Sequence, residues 1–125
     1  MKSKLAILLW ATSSDAPHLC AAPFMYAASA AAMDAEVEIH FAGKSVELLI
    51  HGVASKICTS EEEVRPIYSF MQDAAGAGVK FFACSHSVAA HLRGQGDFIP
   101  EYSGIAGAAS FVARVLDPDW TVLSF

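Results

Sequence analysis

Behind Lys4, apolar residues run without a polar break from Leu5 to Trp10. A continuous run of that length reads as a central parallel strand covered on both faces, Lys4 to Trp10. The loop Ala11–Asp15 ends it. Asp15 is placed to cap a helix that tolerates Pro17 in its first turn and continues through Leu19, Phe24, Met25 and a run of alanines to Met33. From Glu36 to Phe41 the pattern alternates. Val37, Ile39 and Phe41 fall on one side and Glu36, Glu38 and His40 on the other, which describes a strand with one wetter face.

The alternation fails between Lys44 and Ile50, where Leu49 interrupts Val46, Leu48 and Ile50, so this segment is either a short strand or a single helical turn. His51–Thr59 reads as a loop. Ser60 and Glu63 have the S-x-x-E spacing of a capping box ahead of Val64, Ile67, Tyr68, Met71 and Ala75, which are apolar at helical spacing, and Pro66 is placed to delay the start. Gly76 and Gly78 stop that helix, and Val79–Ala83 forms the next buried strand. Cys84-Ser85-His86-Ser87 then opens a short helical stretch to Arg93. Gly94–Tyr102 is a loop, Ser103 is expected to cap a helix through Ile105, Ala108, Ala109, Val112 and Val115, and Asp117-Pro118-Asp119 turns into a last strand, Trp120–Phe125. Strands alternating with helices predict an α/β fold: a three-layer α/β/α sandwich with a mainly parallel sheet of four to five strands. Its crossovers are right-handed, and any site lies at the carboxyl ends of the strands.

Length and composition narrow this picture. At 125 residues the chain is expected to form a single domain over residues 1–125. Apolar residues make up 54% and charged ones 17%, an excess of core-forming over solvating groups that favours a homo-oligomer. The formal net charge of -5 and scattered Lys and Arg argue against a nucleic-acid partner. Lys2 and Lys4 ahead of the apolar run imitate a secretory signal, but a first buried strand begins in the same way and is the preferred reading. No apolar run approaches the length of a membrane span, so no membrane partner is expected. Cys20, Cys58 and Cys84 are odd in number and lack CxxC spacing, which suits free thiols in a reducing, cytoplasmic compartment better than disulfides or a zinc ribbon.

Candidate chemistry centres on Cys84. It follows a strand and stands at or just before a helix start, where unpaired amide N–H groups and the positive dipole end favour a thiolate. The same place would hold the outer sulfur of a persulfide. His86 is an auxiliary candidate for charge stabilisation or proton transfer. Against this, a free cysteine next to Phe81, Phe82 and Ala83 can simply fill core space. Cys20 sits in the first helix and can face Cys84, although packing suits its setting better. Cys58, in a loop, is a candidate to resolve a sulfenate or persulfide on Cys84. His18, Cys20, His51, Cys58, Cys84, His86 and His91 contain the residue types of a zinc site. The two-residue gap between His18 and Cys20 and the five-residue gap between His86 and His91 do not match ligand pairs on one helix face, so no metal and no cofactor is assigned.

With these residues in view, the chain resembles the DsrE/DsrF-like family of small α/β sulfur-relay proteins, which includes TusD-type and YchN-like members. The resemblance spans nearly the whole chain: the strand Leu5–Trp10, the Ala-rich first helix, the strand Val79–Ala83 ending in Cys84, the helix from Gly104 to Val115 and the strand from Trp120. It implies that Cys84 accepts sulfur as a persulfide and passes it to a partner's thiol, that donor and acceptor proteins exist, and that the protein assembles as a homotrimer or homohexamer. Nothing comparable carries over to Cys20, Cys58 or His86. The competing reading is a non-enzymatic oligomeric module with a strand-end pocket for a small ligand or a metal such as zinc.

Overall fold

The computed structural model describes residues 3–125. Lys2, one of the two charges of the signal-like start, lies outside them. Five parallel strands form one sheet: β1 (Lys4–Leu9), β2 (Glu36–Phe41), β3 (Lys80–Ala83), β4 (Tyr102–Ile105) and β5 (Trp120–Ser124), in the order β4-β3-β2-β1-β5. The helices are α1 (Ala21–Ala32), α2 (Ile67–Gly76), α3 (Ser85–Leu92) and α4 (Ala108–Val115). From β1 the chain steps through β2 and β3 to β4 on one side, then returns across the sheet to place β5 on the far side of β1. Right-handed crossovers in opposite directions put the connecting helices on opposite faces.

The α1/α2 face is the apolar one. Ile7, Leu9, Ile39, Phe41 and Phe81 are fully buried there, and Phe24 of α1 meets Phe41 and Phe81 at ring-centroid separations of 6.0 and 5.8 Å, with Phe41 and Phe81 5.5 Å apart. Each such ring contributes roughly 1.5–3 kcal/mol through burial alone. The opposite face carries the alternate residues of the same strands and is covered by α4. The side of β2 expected to be wetter is therefore only partly so. Glu36 is exposed, but Glu38 and His40 are buried, because α4 lays Phe111 and Arg114 across them.

Several boundaries differ from the sequence reading, each for a local reason. Trp10 lies past the end of β1 and is 63% exposed. Asp15 does not cap a helix; its carboxylate pairs with Lys44, while Pro17–Leu19 form a 3-10 turn. Helix α1 then starts at Ala21, so Cys20 is its N-cap residue rather than a turn inside it. Ser60 and Glu63 form no capping box. Glu63 Oε1 accepts the Arg65 N–H at 2.9 Å, and the helix waits until Ile67 because Pro66 disfavours helical backbone at the residue before it. Gly43–Leu49 is a 3-10 segment. Ser103 caps nothing: Tyr102–Ile105 is β4, the Ser103 hydroxyl accepts the Phe81 N–H at 3.2 Å, and α4 begins only at Ala108. The turn at Asp117 is as expected, with Asp117 Oδ1 accepting the Asp119 N–H at 2.9 Å. Among the described residues, no helix is long and apolar enough to cross a membrane.

Candidate functional site

Cys84 is the first residue beyond β3 and the N-cap of α3. Its backbone is still extended (φ -66°, ψ 125°), and its N–H donates to Phe41 O at 2.9 Å, prolonging the β2–β3 pairing by one step. Strand alternation therefore sends its side chain to the same face as Phe82, the face covered by α4. Its carbonyl accepts the Val88 N–H at 3.0 Å, which opens the helix. The thiol is half-buried. Burial pushes its pKa up, but the Ser87 N–H, the Ser87 hydroxyl and the His86 N–H all bond the sulfur, and together they bring it below the ordinary thiol value. Ser87 can do this because its hydroxyl has two uses: it accepts the Gly43 N–H at 2.8 Å and keeps its own proton to donate. Gly43 adopts φ +61°, a left-handed conformation that suits glycine, to aim that amide from the end of β2.

The thiol lines a cavity of about 210 Å³ at the carboxyl ends of β1, β2 and β3, roofed by the start of α4. Leu8, Ala42, Ala106, Phe111 and Val112 make most of its wall apolar. The exception, besides Cys84, is His40. Its ring is packed between Phe82 (5.6 Å between centroids) and Phe111 (5.2 Å, edge-on), and its Nε2 lies 2.9 Å from Glu38 Oε1. Arg114 Nε donates to the same Glu38 oxygen at 2.9 Å, while its guanidinium lies 4.3 Å from the Trp120 ring centroid. Burial pushes the Glu38 carboxyl up, yet the hydrogen bonds from Arg114 and His40 outweigh it and hold the group below its ordinary value. A buried, ionised carboxylate thus orients a buried histidine at the wall of the thiol pocket.

The other candidates stand elsewhere. His86 offers its backbone N–H to the sulfur while its side chain is exposed. Cys20 is fully buried, its thiol donating to Ser13 O at 3.2 Å and facing Ala16 O at 3.5 Å, and burial pushes its pKa up to about 11. Cys58 and His18 share a separate open groove with Lys56 and Glu61. None of Cys20, Cys58 and His18 lines the Cys84 cavity. Among the described residues, no three His, Cys, Asp or Glu side chains converge as metal ligands. The sequence reading passed over His40, Glu38, Ser87 and Arg114 as site residues. The Glu-x-His spacing in β2 was the available signal, since residues two apart in a strand share a face.

A sequence model of the DsrE/DsrF-like family matches residues 6–125. Among solved structures, the fold is similar to that of the ychN protein from E. coli, with a TM-score of 0.68, 15% identity and 100% of each chain covered. It is similar also to MTH1491 from Methanobacterium thermoautotrophicum, a protein of unknown function, with a TM-score of 0.68, 13% identity and 100% of each chain covered. At such identities the likeness concerns the fold alone. No curated protein matches the chain.

Proposed function

Because the chain belongs to the DsrE/DsrF-like family, we propose that it takes up sulfane sulfur as a persulfide on Cys84 and yields it to an acceptor thiol. The observation that carries this reading is a half-buried thiol whose surrounding amides and hydroxyl favour the thiolate, set in the wall of a small apolar cavity. In loading, the Cys84 thiolate attacks the outer sulfur of a donor R–S–SH. The donor's S–S bond breaks, its electron pair leaves with R–S⁻, and Cys84 carries –S–SH. Discharge runs the same exchange toward an acceptor. Nothing is oxidised overall and the step needs no cofactor. The features that stabilise the thiolate also make Cys84 a good leaving group in discharge, since a thiol of lower pKa leaves faster.

The reading extends to donor and acceptor proteins in the cytoplasm and to a homotrimer or homohexamer. Val112, Val115, Leu116 and Leu123 support self-association, as exposed apolar residues on and beside α4 and on the edge strand β5. Cys20 is given a packing role, and Cys58 and His18 take no part in the step. The test is intact-protein mass spectrometry after incubation with a sulfane sulfur donor. Wild type should gain one sulfur atom, removable by a thiol, and Cys84→Ser should not. Gain on both proteins would move the chemistry to another residue, and gain on neither would end the sulfur reading.

A further inference from the structure

Resting on that reading, we propose that His40 is the acid–base group of the Cys84 cavity: it takes the proton of the acceptor thiol that discharges the persulfide, with Glu38 holding its ring and Arg114 holding Glu38. His40 is 5% exposed and lines the cavity together with Cys84. In the parallel register it pairs with Phe82, two residues before Cys84 on the same face of the sheet. One strand spacing sideways and two residues along place the two Cβ atoms about 8 Å apart. No hydrogen bond joins the two side chains, and the donors that favour the Cys84 thiolate do not include His40. The cavity that both side chains line has room for one small group. The cavity, at about 210 Å³, is smaller than the pockets of roughly 300 Å³ and upward that hold drug-sized ligands. Leu8, Phe111 and Val112 around it favour an uncharged –CH₂–SH tip.

The ring nitrogens divide the work. Glu38, ionised and held by Arg114 Nε, fixes Nε2–H as the donor, so Nδ1 keeps its lone pair. Phe111, in a T-shaped pair, and Phe82, tilted against the ring, limit its rotation. A carboxylate that orients a histidine and stabilises the imidazolium it becomes is the logic of hydrolase triads. Here the proton comes from the acceptor. A thiol entering an apolar cavity resists ionisation, because burial disfavours its charged form, and the neutral thiol is a weak nucleophile. His40 Nδ1 takes the proton, R–S⁻ attacks the outer sulfur of Cys84–S–SH, the Cys84 S–S bond breaks with its electron pair going to Cys84, and the products are R–S–SH, the Cys84 thiolate and imidazolium. In loading, the imidazolium returns a proton to the departing R–S⁻.

The charged and titratable groups facing His40 are Glu38 on its own strand, Arg114 from α4 and Cys84 at the end of β3. Lys80, the register partner of Glu38, is exposed, and β1 contributes uncharged Leu8. Glu36 and Asp117 act on Arg114.

The experiment follows single-turnover discharge of the Cys84-loaded chain to β-mercaptoethanol across pH. In wild type the rate should not scale with the bulk thiolate fraction of the acceptor. His40→Gln, whose side-chain amide can still donate to Glu38, should discharge about 100-fold more slowly at neutral pH, with a rate that climbs in proportion to bulk thiolate. Glu38→Gln should also slow discharge, because the imidazolium that forms loses the carboxylate that stabilises it. A wild-type rate already proportional to bulk thiolate overturns the proposal without any variant, and so does a His40→Gln profile that matches wild type. A wild-type protein that never loads sulfur refutes the sulfur reading instead, so the two failures are distinct.

Discussion

Replacing Arg114 by Met should destabilise the fold by about 2 kcal/mol at neutral pH and by much less in acid. Helix α4 buries none of its residues completely, so the link from Arg114 to the sheet bears heavily on where the helix lies. Glu38 keeps 7% of its side chain exposed, and its Oε1 has given up water for Arg114 Nε and His40 Nε2, each at 2.9 Å. Removing one partner of a buried ion pair costs about 3–5 kcal/mol. Arg114 itself keeps 38% of its side chain exposed, so solvent screens its share, and Met retains the packing of the stem against Trp120. Loss of the cation–π contact adds about 0.5–1 kcal/mol, which brings the total near 2 kcal/mol after the discount.

The pH dependence carries the sign. The Glu38 carboxyl lies below its ordinary value of 4.5, so its contribution is complete above that value and is lost as pH falls through the lowered folded-state one. Arg114 provides the larger of the two hydrogen bonds that lower it, so the variant's carboxyl titrates higher and the contribution disappears earlier on acidification. The gap in unfolding free energy should therefore be widest at neutral pH and close in the acid window below the ordinary carboxyl range. Urea unfolding followed by Trp fluorescence at neutral and acid pH measures it, and at neutral pH the melting temperature should fall by roughly 6–10 °C. A loss below about 0.5 kcal/mol, or one of equal size at both pH values, would show that Glu38 does not depend on Arg114.

Alkylation by iodoacetamide, read residue by residue by mass spectrometry, should modify Cys84 in the folded protein at a pH below that of an ordinary thiol and leave Cys20 untouched until unfolding, since its thiol is pushed up to about 11. Equal rates at the two would remove the case for an activated sulfur. Ser87→Ala strips a donor from the Cys84 thiolate, so the alkylation midpoint of Cys84 should move up in pH. A midpoint that stays put would take the hydroxyl out of the site. Phe81→Ala opens the Phe24–Phe41–Phe81 cluster and should cost about 3–5 kcal/mol in denaturant unfolding, whereas a cost under about 1 kcal/mol would mean the core collapses onto the gap.

Four of the five strands could be read directly from the chain, Trp120–Ser124 from the turn at Asp117 that precedes it and the other three because their patterns report local burial. Leu5–Leu9 is apolar throughout, Glu36–Phe41 alternates, and Lys80–Ala83 leads straight into the helix that Cys84 caps. The strand-to-helix junction, and with it the candidate sulfur, follows from that order alone. Strand β4 was hidden because it has only four residues, two of them Ser103 and Gly104, and it pairs along one edge only. A four-residue edge strand has too little burial to impose a pattern, so Ser103 looked like a cap. The false capping box shows the opposite error, a correct local motif overruled by Pro66 seven residues after Thr59 and three after Glu63.

The site's electrostatics were harder to see for a different reason. Polarity at Glu38 and His40 was read as exposure, a fair inference while their partner was unknown, because a buried charge is costly unless it is paired. The partner, Arg114, lies 76 positions away in the sequence and reaches Glu38 only because the chain reverses direction after β4 and brings α4 back over β1 and β2. One topological step therefore has three consequences: it covers the polar face, supplies the counter-charge that makes the burial tolerable, and roofs the cavity beside Cys84 with Phe111 and Val112. If His40 serves the thiol as proposed, stability of α4 and chemistry at Cys84 are coupled through a single carboxylate. Weakening the Glu38–Arg114 pair should thus disturb discharge from Cys84 before it unfolds the sheet, because α4 has no fully buried side chain to hold it in place.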